Sequence, residues 1–251
     1  MSEQIAGRIA RMNEFIHRED NRYSSSEAVL PKDAATLILI DRSGPAPKVL
    51  LGKRSERHVF MPGKFVFPGG AIDSSDELMP VARPLDTAAE TRLMVRFDNA
   101  SPVRARALAL AAIRETCEET GLLLGTRAQS HNIPPGPWDP FARHGVLPDL
   151  SAIHFVGRAI TPPGRPRRFD ARFFTMDASA IAHHIEGVTG PDAELVELVW
   201  MPLKDAERLD MPAVTSVMLE ELDGRIADGL DHDLPVPFYH TVRGNVMREM
   251  L

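Results

Sequence analysis

The stretch Arg114-Glu115-Thr116-Cys117-Glu118-Glu119-Thr120-Gly121-Leu122 puts three carboxylates on one side of a single predicted helix. That helix is well bounded. Ser101-Pro102 supplies an N-cap followed by a proline at the first helical position, residues 103–120 are mostly good helix formers, and Gly121 stands where a helix-terminating glycine belongs. At about 100° per residue, Glu115, Glu118 and Glu119 share an arc of roughly 100°, with Leu110, Ile113 and Cys117 on the opposite side. A solvated acidic face is the ordinary reading of such a pattern, but two local costs stand against it. Like charges three and four residues apart repel, by about 0.2–0.5 kcal/mol per pair, and no lysine lies in the same turn. The acids also crowd the helix C-terminus, where the macrodipole disfavours negative charge by roughly 0.3–1 kcal/mol each. A bound dication turns both penalties into attractions, and an all-oxygen donor set suits Mg²⁺ or Mn²⁺.

Outward from this helix, Ala35 to Ile40 is a short apolar run with β-branched residues, closed by the turn Asp41-Arg42-Ser43-Gly44-Pro45. Lys48 to Lys53 reads as its hairpin partner. A third extended piece, Phe65-Val66-Phe67, ends at Pro68-Gly69-Gly70, where the backbone can approach a ligand closely. Residues 77–100 are weakly periodic and contain Pro80 and Pro84, with one helical piece expected around Thr87 to Val95. Downstream, Ala152 to Ala159, Ala171 to Met176 and Glu197 to Met201 read as strands. Val214, Val217, Met218, Leu222 and Ile226 mark a late amphipathic helix, and residues 4–17 an early one. Strands and helices interleave without a regular βαβ rhythm, so a mixed sheet flanked by helices is expected.

Together the helix and the upstream glycines resemble the Nudix hydrolase signature, G-x5-E-x7-R-E-U-x-E-E-x-G-U, with U an apolar residue. Arg114 to Leu122 matches the second half, with Thr116 at the first apolar position. Gly70 matches the opening glycine, but Asp76 stands where the family has glutamate, and 37 residues separate it from Arg114 instead of seven. The resemblance implies an α+β Nudix fold, a mixed β-sheet sandwiched between α-helices. Residues 1–33 read as an N-terminal arm and 34–251 as one domain, its box interrupted by an insertion at about 77–100, with the resemblance covering roughly residues 34–205. Metal ions on such a helix bridge a substrate diphosphate, neutralise its developing charge and polarise a water. Carried over residue by residue, Arg114, Glu115 and Glu118 are the catalytic candidates. The Gly69 carbonyl, Glu115, Glu118 and Glu119 are the candidate ligands for Mg²⁺ or Mn²⁺. A further acid from outside the box is sought at Glu194 or Glu197.

The segment Leu50-Leu51-Gly52-Lys53-Arg54-Ser55, leading into Phe67-Pro68-Gly69-Gly70, is similar to the segment before the box in coenzyme A diphosphatases. That similarity implies a coenzyme A or acyl-coenzyme A substrate, giving 3',5'-ADP and 4'-phosphopantetheine. Arg54, Arg57, Gly70 and Arg172 are then the substrate-binding candidates. Arg172 belongs to a second basic cluster with Arg165, Arg167 and Arg168, for which a solvated loop is the plainer account. Hydrolysis of ADP-ribose or another nucleoside diphosphate derivative is the competing activity, and a ligand-binding module without turnover is the alternative of another class.

Composition narrows the partners. A net charge of −6 argues against polymeric nucleic acid. The single cysteine, Cys117, rules out an intramolecular disulfide and a multi-cysteine zinc site, and it sits on the apolar face of the box helix, where packing is its plain role. No run approaches the roughly 18 apolar residues of a membrane span, and the first residues lack a signal-peptide core. A cytoplasmic enzyme of small nucleotide substrates is expected, with no organic cofactor and, by family analogy, a homodimer. His183-His184 lack the spacing that puts two ligands on one helix face, and Trp138 reads as packed against its own domain.

Overall fold

The computed structural model describes residues 3–20, 29–57, 61–128 and 132–251. The polar run Asn21 to Ser26 and residues 58–60 lie outside them. In chain order the elements are α1 (Glu3–Asp20), β1 (Lys32–Asp41), β2 (Lys48–Arg54), β3 (Phe65–Val66), β4 (Gly69–Ala71), α2 (Thr87–Met94) and α3 (Pro102–Thr120). There follow β5 (Leu122–Leu124), β6 (Thr126–Arg127), α4 (Asp139–His144), β7 (Val146–Leu147), β8 (His154–Ile160), β9 (Phe169–Asp177) and β10 (Ile181–His184). The chain closes with β11 (Leu195–Pro202), α5 (Leu203–Ala206), α6 (Ala213–Ala227), β12 (Pro237–Val242) and β13 (Asn245–Met250).

The main sheet runs β11-β2-β1-β9-β8-β12-β13, with β3 on β2 and β4 on β1. It is mixed, because β1 and β9 are parallel while β1–β2, β2–β11 and β8–β9 are antiparallel. Period-two alternation along β1 splits its apolar residues between two cores. Ala35, Leu37 and Leu39 face α2 and α3, together with Leu50, Leu85, Leu93, Leu108 and Ile113. Ile38 and Ile40 face α1, α5 and α6, with Val49, Leu51, Ile16, Leu203, Val217 and Leu222. The expected sandwich of a mixed sheet between helices is therefore the architecture found.

Most elements stand where the sequence puts them, within a few residues. Lys32 already belongs to β1, so the boundary drawn between residues 33 and 34 falls inside a strand. The early helix α1 is docked on α6: Arg8 donates through Nε to Glu220 at 3.0 Å and pairs with Glu221 at 2.9 Å. Glu221 also accepts from Tyr239 and Arg248. The segment between Asp76 and Ser101 is packed, not draped. Met79, Leu85, Ala89 and Leu93 join the core, and Arg158 donates to the carbonyls of Val95 and Arg96, both at 2.9 Å.

Candidate functional site

The box helix is held at both ends by the expected devices. The Ser101 side chain accepts from Arg104 N, Pro102 fills the first turn, and Gly121 adopts φ 75°, which a left-handed cap requires. A Cβ on Gly121 would also lie 2.2 Å from the Ile185 carbonyl oxygen, so the loop after β10 can close on the helix end only over a glycine. Thr116, at the family's apolar position, is fully buried, and its hydroxyl donates to the Ala112 carbonyl at 2.7 Å. That bond removes the cost of burying the hydroxyl.

Asp76 and Arg114 join the two halves of the interrupted box. Asp76 is wholly buried and accepts from Arg114 Nε at 2.8 Å and Nη2 at 3.1 Å, while its Oδ2 also accepts from Asp73 N at 2.8 Å. Arg114 further donates to the Ala71 carbonyl at 2.8 Å, to Glu115 at 2.8 Å and to Glu118 at 3.1 Å. Burial alone would lower the Arg114 guanidinium; the Asp76 carboxylate outweighs it and keeps the group firmly charged. The fork geometry of arginine is what lets one cation hold three acids and a carbonyl.

The glycines set the opposite wall. A Cβ on Gly70 would lie 2.4 Å from the Glu115 carboxyl carbon, so Glu115 presses against bare backbone there. Gly69 N donates to Glu119 at 3.3 Å. Glu119 is 7% exposed, and burial first, then Glu194 and Glu115 nearby, pushes its carboxyl well above the usual range, with Arg54 pulling the other way. Burial likewise raises Glu115, which also feels Glu118 and Glu194. Glu118 is the exposed member of the three.

Glu194 and Arg54 complete the cluster. Leu195 lies opposite Arg54 in the β2–β11 ladder, Ser55 N donates to the Glu194 carbonyl at 3.1 Å, and Arg54 Nη1 meets Glu194 Oε1 at 2.8 Å. A register shift between Leu195 and Glu197 sets Glu197 opposite Lys53, next to the Leu198–Gly52 pair of the box-helix face. Alternation therefore turns Glu197 away from that face, and of the two acids singled out beyond the box only Glu194 stands at the site. Five carboxylates (Asp76, Glu115, Glu118, Glu119, Glu194) thus share two arginines. An excess of negative charge with oxygen donors alone fits a hard divalent cation. Among the described residues no group of three or more His, Cys, Asp or Glu side chains is gathered tightly enough to hold a metal as it stands. Glu115 and Glu118 both accept from Arg114.

Two basic expectations fare differently. Arg57 is exposed at the rim, paired with Asp192 at 2.7 Å. Arg172 does not reach the site: it is completely buried in β9, paired with Asp33 at 2.7 Å and Asp170 at 3.2 Å, with Phe97 4.5 Å from its guanidinium. Its role as a substrate contact is withdrawn, because a side chain sealed between two aspartates and a ring touches no ligand. Its neighbours Arg165 and Arg168 spend their donors on the Ile16, Thr161 and Val29 carbonyls. Cys117 is buried and its thiol is pushed up to about 12 by burial, and Trp138 is fully buried, so both are packing residues. His183 stacks on His144 at 3.9 Å.

No family model matches the chain. It is 28% identical over 204 residues to the acyl-coenzyme A diphosphatase NUDT19 of Gallus gallus, covering 57% of this chain and 54% of that one. Over 95 residues it is 37% identical to NUDT19 of Xenopus laevis, covering 31% of this chain and 25% of that one. The chain thus spans about half the length of the first of these relatives and a quarter of the second. Among solved structures, a Nudix hydrolase from Alicyclobacillus acidocaldarius superimposes with a TM-score of 0.56 at 28% identity, covering 76% of this chain and 90% of that one. The layered α+β fold with its box helix is therefore the Nudix fold. The chain resembles Nudix hydrolases, and among them the coenzyme A diphosphatase branch. Among the described residues no helix is long and apolar enough to cross a membrane.

Proposed function

We propose that this chain is a divalent-metal-dependent hydrolase of the diphosphate linkage in coenzyme A or an acyl-coenzyme A, releasing 3',5'-ADP and (acyl-)4'-phosphopantetheine. The observation that carries the reading is the carboxylate cluster of Glu115, Glu118, Glu119 and Glu194, facing Gly69-Gly70 with Arg54 at its edge. When bound, Mg²⁺ or Mn²⁺ would supply charge neutralisation of the diphosphate oxygens and acidify a water. Glu118, Glu119 and the Gly69 carbonyl would hold it, with Glu115 as ligand or proton acceptor.

The chain's own residues do the positioning. Arg114, pinned by Asp76, fixes the carboxylates of Glu115 and Glu118 along the box helix. Gly70 leaves room for the Glu115 carboxylate against the backbone. Glu115, whose carboxyl burial raises above the usual range, is the group placed to take a proton from the attacking water. Water's oxygen joins one phosphorus, the bridging oxygen leaves with the other, and the water proton passes to the carboxylate. Arg54 and Arg57 face the anionic groups of the substrate.

The coenzyme A assignment draws support from Leu50-Leu51-Gly52-Lys53-Arg54-Ser55 and from the acyl-coenzyme A diphosphatases the chain resembles. Comparing kcat/KM for coenzyme A, acyl-coenzyme A, ADP-ribose and NADH in Mg²⁺ or Mn²⁺, with products read by mass spectrometry, tests it. Preferential release of 3',5'-ADP is the expected result. AMP from ADP-ribose as the main product would move the enzyme to the ADP-ribose class, and binding without turnover across the panel would make it a sensor module.

A further inference from the structure

Arg54 and a bound dication have claims on the same carboxylate. The β2–β11 ladder fixes the backbone around both partners, with Leu195 opposite Arg54 and packed on Gly52, where a Cβ would lie 2.4 Å from the leucine side chain. The Glu194 side chain is 45% exposed, while the Arg54 side chain, only 14% exposed, is held at the edge of the cluster. β11 also packs against the box helix α3, which sets this ion pair beside the box carboxylates.

We propose that Arg54 is the internal counter-ion of Glu194 in the metal-free protein and that metal binding releases it to the substrate. A dication drawn to Glu194 and Glu119 repels a guanidinium held on the same carboxylate, with twice the force of a unit charge at that spacing. Arg54 then turns its planar fork, which matches phosphate oxygens, toward the anion arriving on the metal. The order of events follows: metal first, then substrate, because until the metal binds, the arginine that receives the phosphate is occupied by Glu194. This exchange rests on the metal-dependent reading above, and Arg54 in it is a positioning residue for substrate charge.

The test is equilibrium binding of Mn²⁺ alone, followed by electron paramagnetic resonance, in wild type, Arg54→Gln, Arg54→Lys, Glu194→Gln and the Arg54→Gln/Glu194→Gln pair. Circular dichroism melts establish that each is folded. An ion pair of this exposure competes by a factor of about two to five. Arg54→Gln is therefore expected to bind Mn²⁺ about two- to five-fold more tightly, Arg54→Lys to return to wild-type affinity, and Glu194→Gln to bind more weakly. In the Glu194→Gln background, removing Arg54 changes nothing further. The same Arg54→Gln variant shows KM for coenzyme A raised about ten-fold with kcat little changed. Unaltered or weaker Mn²⁺ binding in Arg54→Gln overturns the exchange, and so does equal tightening with and without Glu194, which marks plain through-space repulsion. A wild-type protein that binds no Mn²⁺ removes the metal reading itself, and the exchange falls with it.

Discussion

Replacing Asp76 with alanine tests whether one buried ion pair holds the interrupted box together. Asp76 is fully buried and receives two hydrogen bonds from Arg114 and one from Asp73 N. Truncating one partner of a buried pair costs about 3–5 kcal/mol, because the other charge is left uncompensated. Arg114 keeps Glu115, Glu118 and the Ala71 carbonyl, so the low end, about 3 kcal/mol, is expected. For a chain of this size that lowers the melting temperature by about 6–12 °C. Asp76→Glu, which restores the family's residue, adds a methylene to a site with no space and costs about 1–3 kcal/mol. Urea melts of Asp76→Ala, Arg114→Met and the double variant give the coupling directly, and the double loss should fall well short of the sum. Full additivity, or a loss under about 1 kcal/mol for Asp76→Ala, would refute the reasoning.

Three further outcomes follow from the same structure. Glu119→Gln should leave the metal-free protein as stable as wild type or more so, since a neutral amide replaces a carboxylate that burial penalises, while abolishing the rise in melting temperature on adding Mg²⁺. Because burial raises Glu115 and Glu119, the metal-free fold retains protons that the unfolded chain has released. The contribution of these two groups to stability is thus full below the ordinary carboxylate value of 4.5 and declines as pH rises through their elevated folded values. Melts in chelator between about pH 5 and 8 should show that decline, flattened in Glu119→Gln. His154 has the opposite sign. Burial, then His232 and nearby arginines, lowers it to about 4 from 6.5, so the unfolded chain takes up a proton first and stability is lost as pH falls from 6.5 toward 4; His154→Gln should remove that loss. Finally, Arg172→Met should cost up to about 3 kcal/mol in a urea melt by removing the cation that Asp33 and Asp170 share, although Arg104 and Arg158 still pair with them, with KM for substrate unchanged.

What was legible in the sequence followed from local physics. The caps at Ser101 and Gly121, the period-two pattern of Ala35 to Ile40 and the crowded glutamates each act within a few residues, and each has its expected counterpart. What was not legible depends on partners far along the chain. Arg172 reads as a loop cation until Asp33, 139 residues away, is brought beside it. Asp76 looks like a degraded box residue until Arg114, 38 residues on, closes on it. Glu194 and Glu197 were indistinguishable until the β-bulge between Leu195 and Glu197 fixed their faces. The C-terminal hairpin β12–β13 escaped notice although a signal was present: Arg243-Gly244 forms a two-residue turn with φ 49° and 81°, the positive pair that tight hairpins require.

The most direct measurement of the central claim is the rate of 3',5'-ADP release from an acyl-coenzyme A by wild type and Glu119→Gln, each with Mg²⁺ and with chelator. Steady release by the wild type with Mg²⁺, abolished by chelator and reduced about a hundred-fold or more by the substitution, is the predicted result. Undiminished release without metal or without the Glu119 carboxylate would place the chemistry elsewhere and contradict the account.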